Sequence, residues 1–166
     1  MRTAKSVYRR FVDFEERSAA IYVRLASRFS SDRMLSAFWL EMAMEEKQHA
    51  GLVQFCLAEE LFSAELPSDT ELEKLNVMVK GLEKRASNSE ITVDDAFLLA
   101  FELERSEVNS IYCRLTATAH PSTYLVKRKI ATFVPHHVNG LVAAARKFRV
   151  SGKTLKQVEK LDKSCA

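Results

Sequence analysis

The sequence predicts an all-α protein, an antiparallel four-helix bundle, and three observations carry that prediction. The chain has 4 glycines and 3 prolines in 166 residues, where average usage gives roughly 20 of the two together. Four long segments repeat apolar side chains at spacings of three and four, the period of an amphipathic helix. At 47% hydrophobic residues, the chain can fill one domain core.

The first helix runs from about Lys5 to Phe29 and stops at Ser30-Ser31. The second caps on Ser31-Asp32, whose side-chain oxygens can accept from free backbone N–H groups, and continues to about Leu61. Pro67-Ser68-Asp69 breaks the chain before a shorter helix from about Asp69 to Arg85. This helix occupies the connection between the second and third long helices, which predicts a crossover rather than a tight hairpin. Ser87-Asn88-Ser89 is a loop, and the third long helix opens at Thr92. Asp95 stands three residues on, close to a capping box. That helix is expected to reach Ala119 and stop at His120-Pro121. The fourth spans about Ser122 to Phe148 with Pro135 inside it, and Gly152 closes the helical core. Residues 1–149 then form the bundle, and 150–166 a basic C-terminal tail or short helix. Helices of this length are each roughly 38 Å long.

Charge and cysteine usage exclude several function classes. Lys and Arg number 25 against 22 acidic residues, a net charge of +3 that makes no case for nucleic acid or a membrane surface. Residues 146–163 are locally basic without interleaved aromatics, which reads as a solvated face. The longest apolar run, Ala96 to Phe101, is far short of the roughly 20 residues that span a bilayer. The N-terminal MRTAKSVYRRF lacks the apolar stretch of a signal peptide, so a cytoplasmic protein is expected. Cys56, Cys113 and Cys165 include no C-x-x-C pair, which fits a reducing compartment and excludes a zinc knuckle or a rubredoxin-type iron site. Phe38, Trp39, Met42, Met44 and Phe101 read as core.

The seams carry the chemistry. The stripe of the second helix reads Leu35, Trp39, Met42, Glu46, His49, Val53, Cys56; that of the first places Glu15 between Phe11 and Ser18. The third places Glu104 after Phe101, and the fourth places His137 after Val134. Acids aimed into a core cost several kcal/mol each unless compensated. Lysines do not fall on these stripes, so histidines and a divalent cation are the remaining partners. Glu46-Lys47-Gln48-His49 is a Glu-x-x-His, whose spacing puts a carboxylate and an imidazole one turn apart on one face, able to grip one ion. Glu16 rivals Glu15, because Val12, Ala19 and Val23 make a second apolar line with it; Tyr22 on the face of Glu15 favours Glu15.

In these residues the chain resembles the ferritin-like superfamily, most of all its rubrerythrin branch. The stretch Ala43-Met44-Glu45-Glu46-Lys47-Gln48-His49-Ala50 looks like that family's Glu-x-x-His helix. Glu15 seven residues before Tyr22, and Glu104 and Glu107 before Tyr112, are similar to its ligand helices. Glu15 to Glu46 spans 31 residues and Glu104 to position 134 spans 30, matching its internal repeat of helix pairs. The pattern departs at Val134-Pro135-His136-His137, where Val134 stands in place of a ligating glutamate. The resemblance implies a non-haem site of two iron ions, or manganese, held by Glu15, Glu46, His49, Glu104, Glu107 and His137, with Glu46 and Glu104 as the catalytic carboxylates. It implies an oxidoreductase acting on peroxide or dioxygen, a separate electron-donor protein and a homodimer. Val134 and Pro135 keep a second reading open, a ferritin-like bundle with a degenerate or mononuclear site acting as a binding or structural protein.

Overall fold

A computed structural model describes residues 3–106 and 138–161. All regular structure among the described residues is helical: α1 (Ala4–Arg28), α2 (Arg33–Ala58), α3 (Asp69–Ala86), α4 (Val93–Glu104), α5 (138–147) and α6 (Gly152–Val158).

Side-chain caps set the helix starts. Thr3, Ser68 and Thr92 each close a capping box with Ser6, Glu71 and Asp95 respectively, and Asp32 accepts from the backbone N–H groups of Met34 and Leu35. These polar side chains satisfy donors that a helix start leaves unpaired. The stops are less legible. The second helix, expected to reach Leu61, ends at Ala58 because Glu60 takes a left-handed conformation (φ 54°) and the Leu61 N–H donates to the Cys56 carbonyl at 2.9 Å. Arg149 (φ 53°) ends α5 in the same way. Glycine normally marks this turn; here two charged residues occupy it. Among the described residues the helix expected from Thr92 to Ala119 breaks off at Glu104, where the Ser106 hydroxyl donates to the Leu103 carbonyl at 2.6 Å; positions 107–119, and 122–137 of the expected fourth helix, lie outside the described residues. Such a side-chain bond competes with the helical ladder.

α1 and α2 pack side by side in opposite directions. Ser36 Oγ donates to the Ala26 carbonyl at 2.9 Å, Lys47 pairs with Glu16, and Lys5 pairs with Glu60 at 2.5 Å, so the partners step oppositely along the two helices. At the far end the Tyr8 hydroxyl accepts from the Ser63 N–H at 2.9 Å. α3 lies along α1 and is held by Arg17, which donates from Nε and Nη2 to the two carboxylate oxygens of Glu83, each at 2.9 Å, and from Nη1 to Asn76. Every inward stripe position of α2 is buried, and so are Tyr8, Phe11, Glu15, Ser18, Tyr22 and Leu25 of α1. Above the acids sits an aromatic layer. Trp39 stacks on Tyr22 (ring centroids 5.9 Å) and meets Phe97 at 5.0 Å, while Phe38 bridges Phe97 and Phe148.

Two expectations change. Met44 is 58% exposed rather than core, because it lies on the face of α2 opposite the seam. The basic C-terminal stretch is not wholly solvated: Gly152 opens α6 instead of ending the core, Val158 and Leu161 are buried, and the Ser151 N–H donates to Asp94 at 2.9 Å.

The Arg17–Glu83 clamp has a pH signature. Hydrogen bonding from Arg17 holds the Glu83 carboxyl below its ordinary value of 4.5. The unfolded chain then binds more protons at acid pH, so this contribution is complete above 4.5 and fades as pH falls through the folded value. Glu83→Gln should cost about 1 kcal/mol at neutral pH. Urea unfolding at a series of pH values should show that gap closing below 4.5.

Candidate metal centre

The site is built where the inward faces of α1 and α2 meet. Phe11 and Tyr22 flank Glu15 along α1, and Met42 and Val53 flank Glu46 and His49 along α2. Residues one turn apart on a helix project to the same side, so the i, i+3 pair of α2 faces Glu15 as a unit. Glu15, Glu46 and His49 are 1%, 4% and 2% exposed, and one ligand atom from each lies within 4.8 Å of the others. His49 Nδ1 is 3.4 Å from Glu46 Oε2 and 3.9 Å from Glu15 Oε2. Two donors bound to one first-row ion at about 2.1 Å each are separated by about 3 to 4.2 Å, so both distances fit. Two carboxylates and an imidazole without a thiolate suit iron, manganese or zinc better than a soft ion.

The neighbours divide cleanly. Glu16 is exposed and paired with Lys47, so the lysine inside the Glu-x-x-His is turned outward and Glu15 is the acid on the seam. Ser18, one turn from Glu15, donates its hydroxyl to the Phe14 carbonyl at 3.0 Å.

Glu104 enters from α4 at 6% exposure and meets the site through Tyr22. The Tyr22 hydroxyl donates to Glu104 Oε1 at 2.5 Å. Burial holds the Tyr22 proton well above the ordinary phenol range, and the charges of Glu104 and Glu46 reinforce it. The phenol is therefore a firm donor throughout the neutral range, and it feels carboxylates from both α2 and α4. Tyr22 lies on the face of Glu15, where its spacing already makes it a candidate donor to a ligating carboxylate; its stack on Trp39, which spacing does not show, fixes the ring that holds Glu104.

The structure thus brings Glu15, Glu46 and His49 together and links Glu104 to them through a tyrosine. Glu107, Tyr112, Val134, Pro135, His136 and His137 lie outside the described residues, as do His120, Cys113 and Cys165. Comparison with family models, with curated proteins and with solved structures finds no match to this chain.

Tyr22→Phe removes the proton that Glu104 accepts while keeping the stack on Trp39. A loss of about 1–3 kcal/mol in metal-free protein is expected from urea unfolding, and an unchanged midpoint would show that the bond does not stabilise the buried acid.

Proposed function

We propose that this chain is a ferritin-like, rubrerythrin-like four-helix bundle that holds non-haem iron, or manganese, and acts as an oxidoreductase on peroxide or dioxygen. The observation that carries this reading is the buried group of Glu15, Glu46 and His49, whose ligand atoms lie within 4.8 Å of one another. Acids at such depth are costly without a compensating cation, and a carboxylate–imidazole set is a donor set for one.

The helix order supports the same reading. Phe97 of α4 packs on Phe38 and Trp39 near the start of α2, and Glu104, later on α4, reaches toward the site, so α4 is read as running with α2. α3 would carry the chain back between them along α1. Phe148 returns to Phe38 and Phe97, which fits α5 as the fourth helix running against α4.

Iron bound here would supply electrons for cleaving an O–O bond, replenished by a separate donor protein. Glu15, Glu46 and His49 hold the first ion. Glu104, whose orientation Tyr22 sets, would serve a second ion, for which the resemblance supplies Glu107 and His137, residues outside the described ones. Glu104 accepts the Tyr22 proton and Glu46 acts on it through its charge, and these two carboxylates are assigned the catalytic roles. The apolar and aromatic layer of Trp39, Phe97 and Phe38 keeps water from that side of the acids.

A mononuclear site is the second reading, favoured by one observation: the described donors form a single three-residue group from two helices. Metal analysis of protein purified without chelator separates the two readings, with about two ions per chain expected for the first and one for the second. His49→Ala and Glu46→Ala should abolish the bound metal. Added Fe(II) or Mn(II) at a hundred times Kd should stabilise the wild-type fold by about 2.7 kcal/mol. Metal-free Glu46→Ala should be no less stable than metal-free wild type, because it removes one of the crowded buried acids. A wild-type protein whose melting temperature ignores both ions would refute both readings.

A further inference from the structure

Trp39 carries a polar atom that its surroundings leave unsatisfied. It is the only tryptophan of the chain, it is fully buried, and its Nε1–H meets no hydrogen-bond acceptor among the described residues. A buried indole N–H usually finds a partner. One without a partner costs free energy that a phenylalanine in the same place would not. An orphaned donor in a folded protein calls for an explanation, and a redox role is one of the few available.

The rings around it point to the same role. Trp39 lies almost parallel to Tyr22, with 9° between the planes and centroids 5.9 Å apart, and the Tyr22 hydroxyl donates to Glu104. On its other sides Phe38 stands at 4.8 Å and Phe97 at 5.0 Å. Both of these meet the half-buried Phe148, at 6.2 and 6.4 Å. Rings in contact therefore run from Phe148 near the surface, through Trp39 and Tyr22, to a carboxylate of the acid-rich centre.

Chemistry selects Trp39 among these rings. Phenylalanine is far harder to oxidise, and a phenol must release its proton when it loses an electron. An indole can lose an electron and keep its N–H, becoming a radical cation. With no acceptor for its proton, an oxidised Trp39 stays protonated and holds the positive charge. The carboxylate of Glu104, one ring away, favours a positive charge at that place.

We infer that Trp39 is the one-electron donor of this core, passing its electron toward the acids through the Tyr22 ring and remaining as the protonated indole radical. Its natural oxidant rests on the metal reading above. Peroxide takes up two electrons and two protons to become two molecules of water. With a single ferrous ion bound, one electron comes from the metal, which is left ferric, and the other from Trp39. The protons come from solvent, no bond to Trp39 forms or breaks, and the separate donor protein returns the electron. The whole chain, with its tryptophan ring-deuterated, is loaded with one Fe(II), mixed with hydrogen peroxide and rapidly frozen. Electron paramagnetic resonance should show a radical whose pattern changes with the label, and absorption should be that of the protonated indole radical. Trp39→Phe, which keeps a ring in the core, should bind iron as wild type does and lose the signal. Iron-loaded wild type that forms no radical, or one blind to the label, overturns the inference and leaves the metal reading standing. A chain that binds no iron refutes the metal reading instead, and Trp39 is then read in metal-free protein oxidised by photogenerated ruthenium(III) tris(bipyridine). A label-dependent radical is expected there too, and a label-independent one overturns the assignment of Trp39 as donor.

Discussion

The cost of burying carboxylates is the constraint on which the rest of this molecule depends. Glu15, Glu46 and Glu104 reach an apolar interior at 1%, 4% and 6% exposure, where like charges neither hydrate nor separate. The structure answers with directed donors. Tyr22 gives its proton to Glu104, and the His49 ring stands against both Glu46 and Glu15. The lysine of the Glu-x-x-His is spent on the outside, on Glu16. What remains is an inward cluster of acids and one imidazole, the composition that a divalent cation stabilises most.

Such a cluster exists only if the helices keep their rotation and register. One residue of slip turns a helix face by about 100°, which would carry Glu46 and His49 off the seam together. The hairpin is therefore fixed at both ends. Ser36 holds Ala26 beside the turn, and Tyr8 clips the chain after α2 through the Ser63 backbone. Arg17 fastens α3 along the outside of α1 with a two-pronged bond to Glu83, and the stack of Tyr22 on Trp39 positions the one hydroxyl that orients Glu104. Packing and hydrogen bonding here serve a few polar atoms at the centre.

Among the described residues, the helix starts and the inward seam are legible in the amino-acid order alone. Caps at Asp32, Ser68 and Thr92 are local chemistry, and alternating spacings of three and four select Glu15, Glu46, His49 and Glu104 as inward positions without reference to any other part of the chain. The stops were hidden, because Glu60 and Arg149 adopt a turn conformation that residue type does not announce, and Ser106 ends α4 through a bond to a carbonyl in its own turn. Met44 differs for a related reason, since residue type alone does not tell an apolar side chain on the outer face of α2 from one in the core. Tertiary structure alone decided which acids meet: Glu15 joins Glu46 and His49, and Glu104 arrives through Tyr22 from a helix far along the chain. Periodicity fixes the face a residue occupies on its helix, but the distance between two faces depends on how the helices pack.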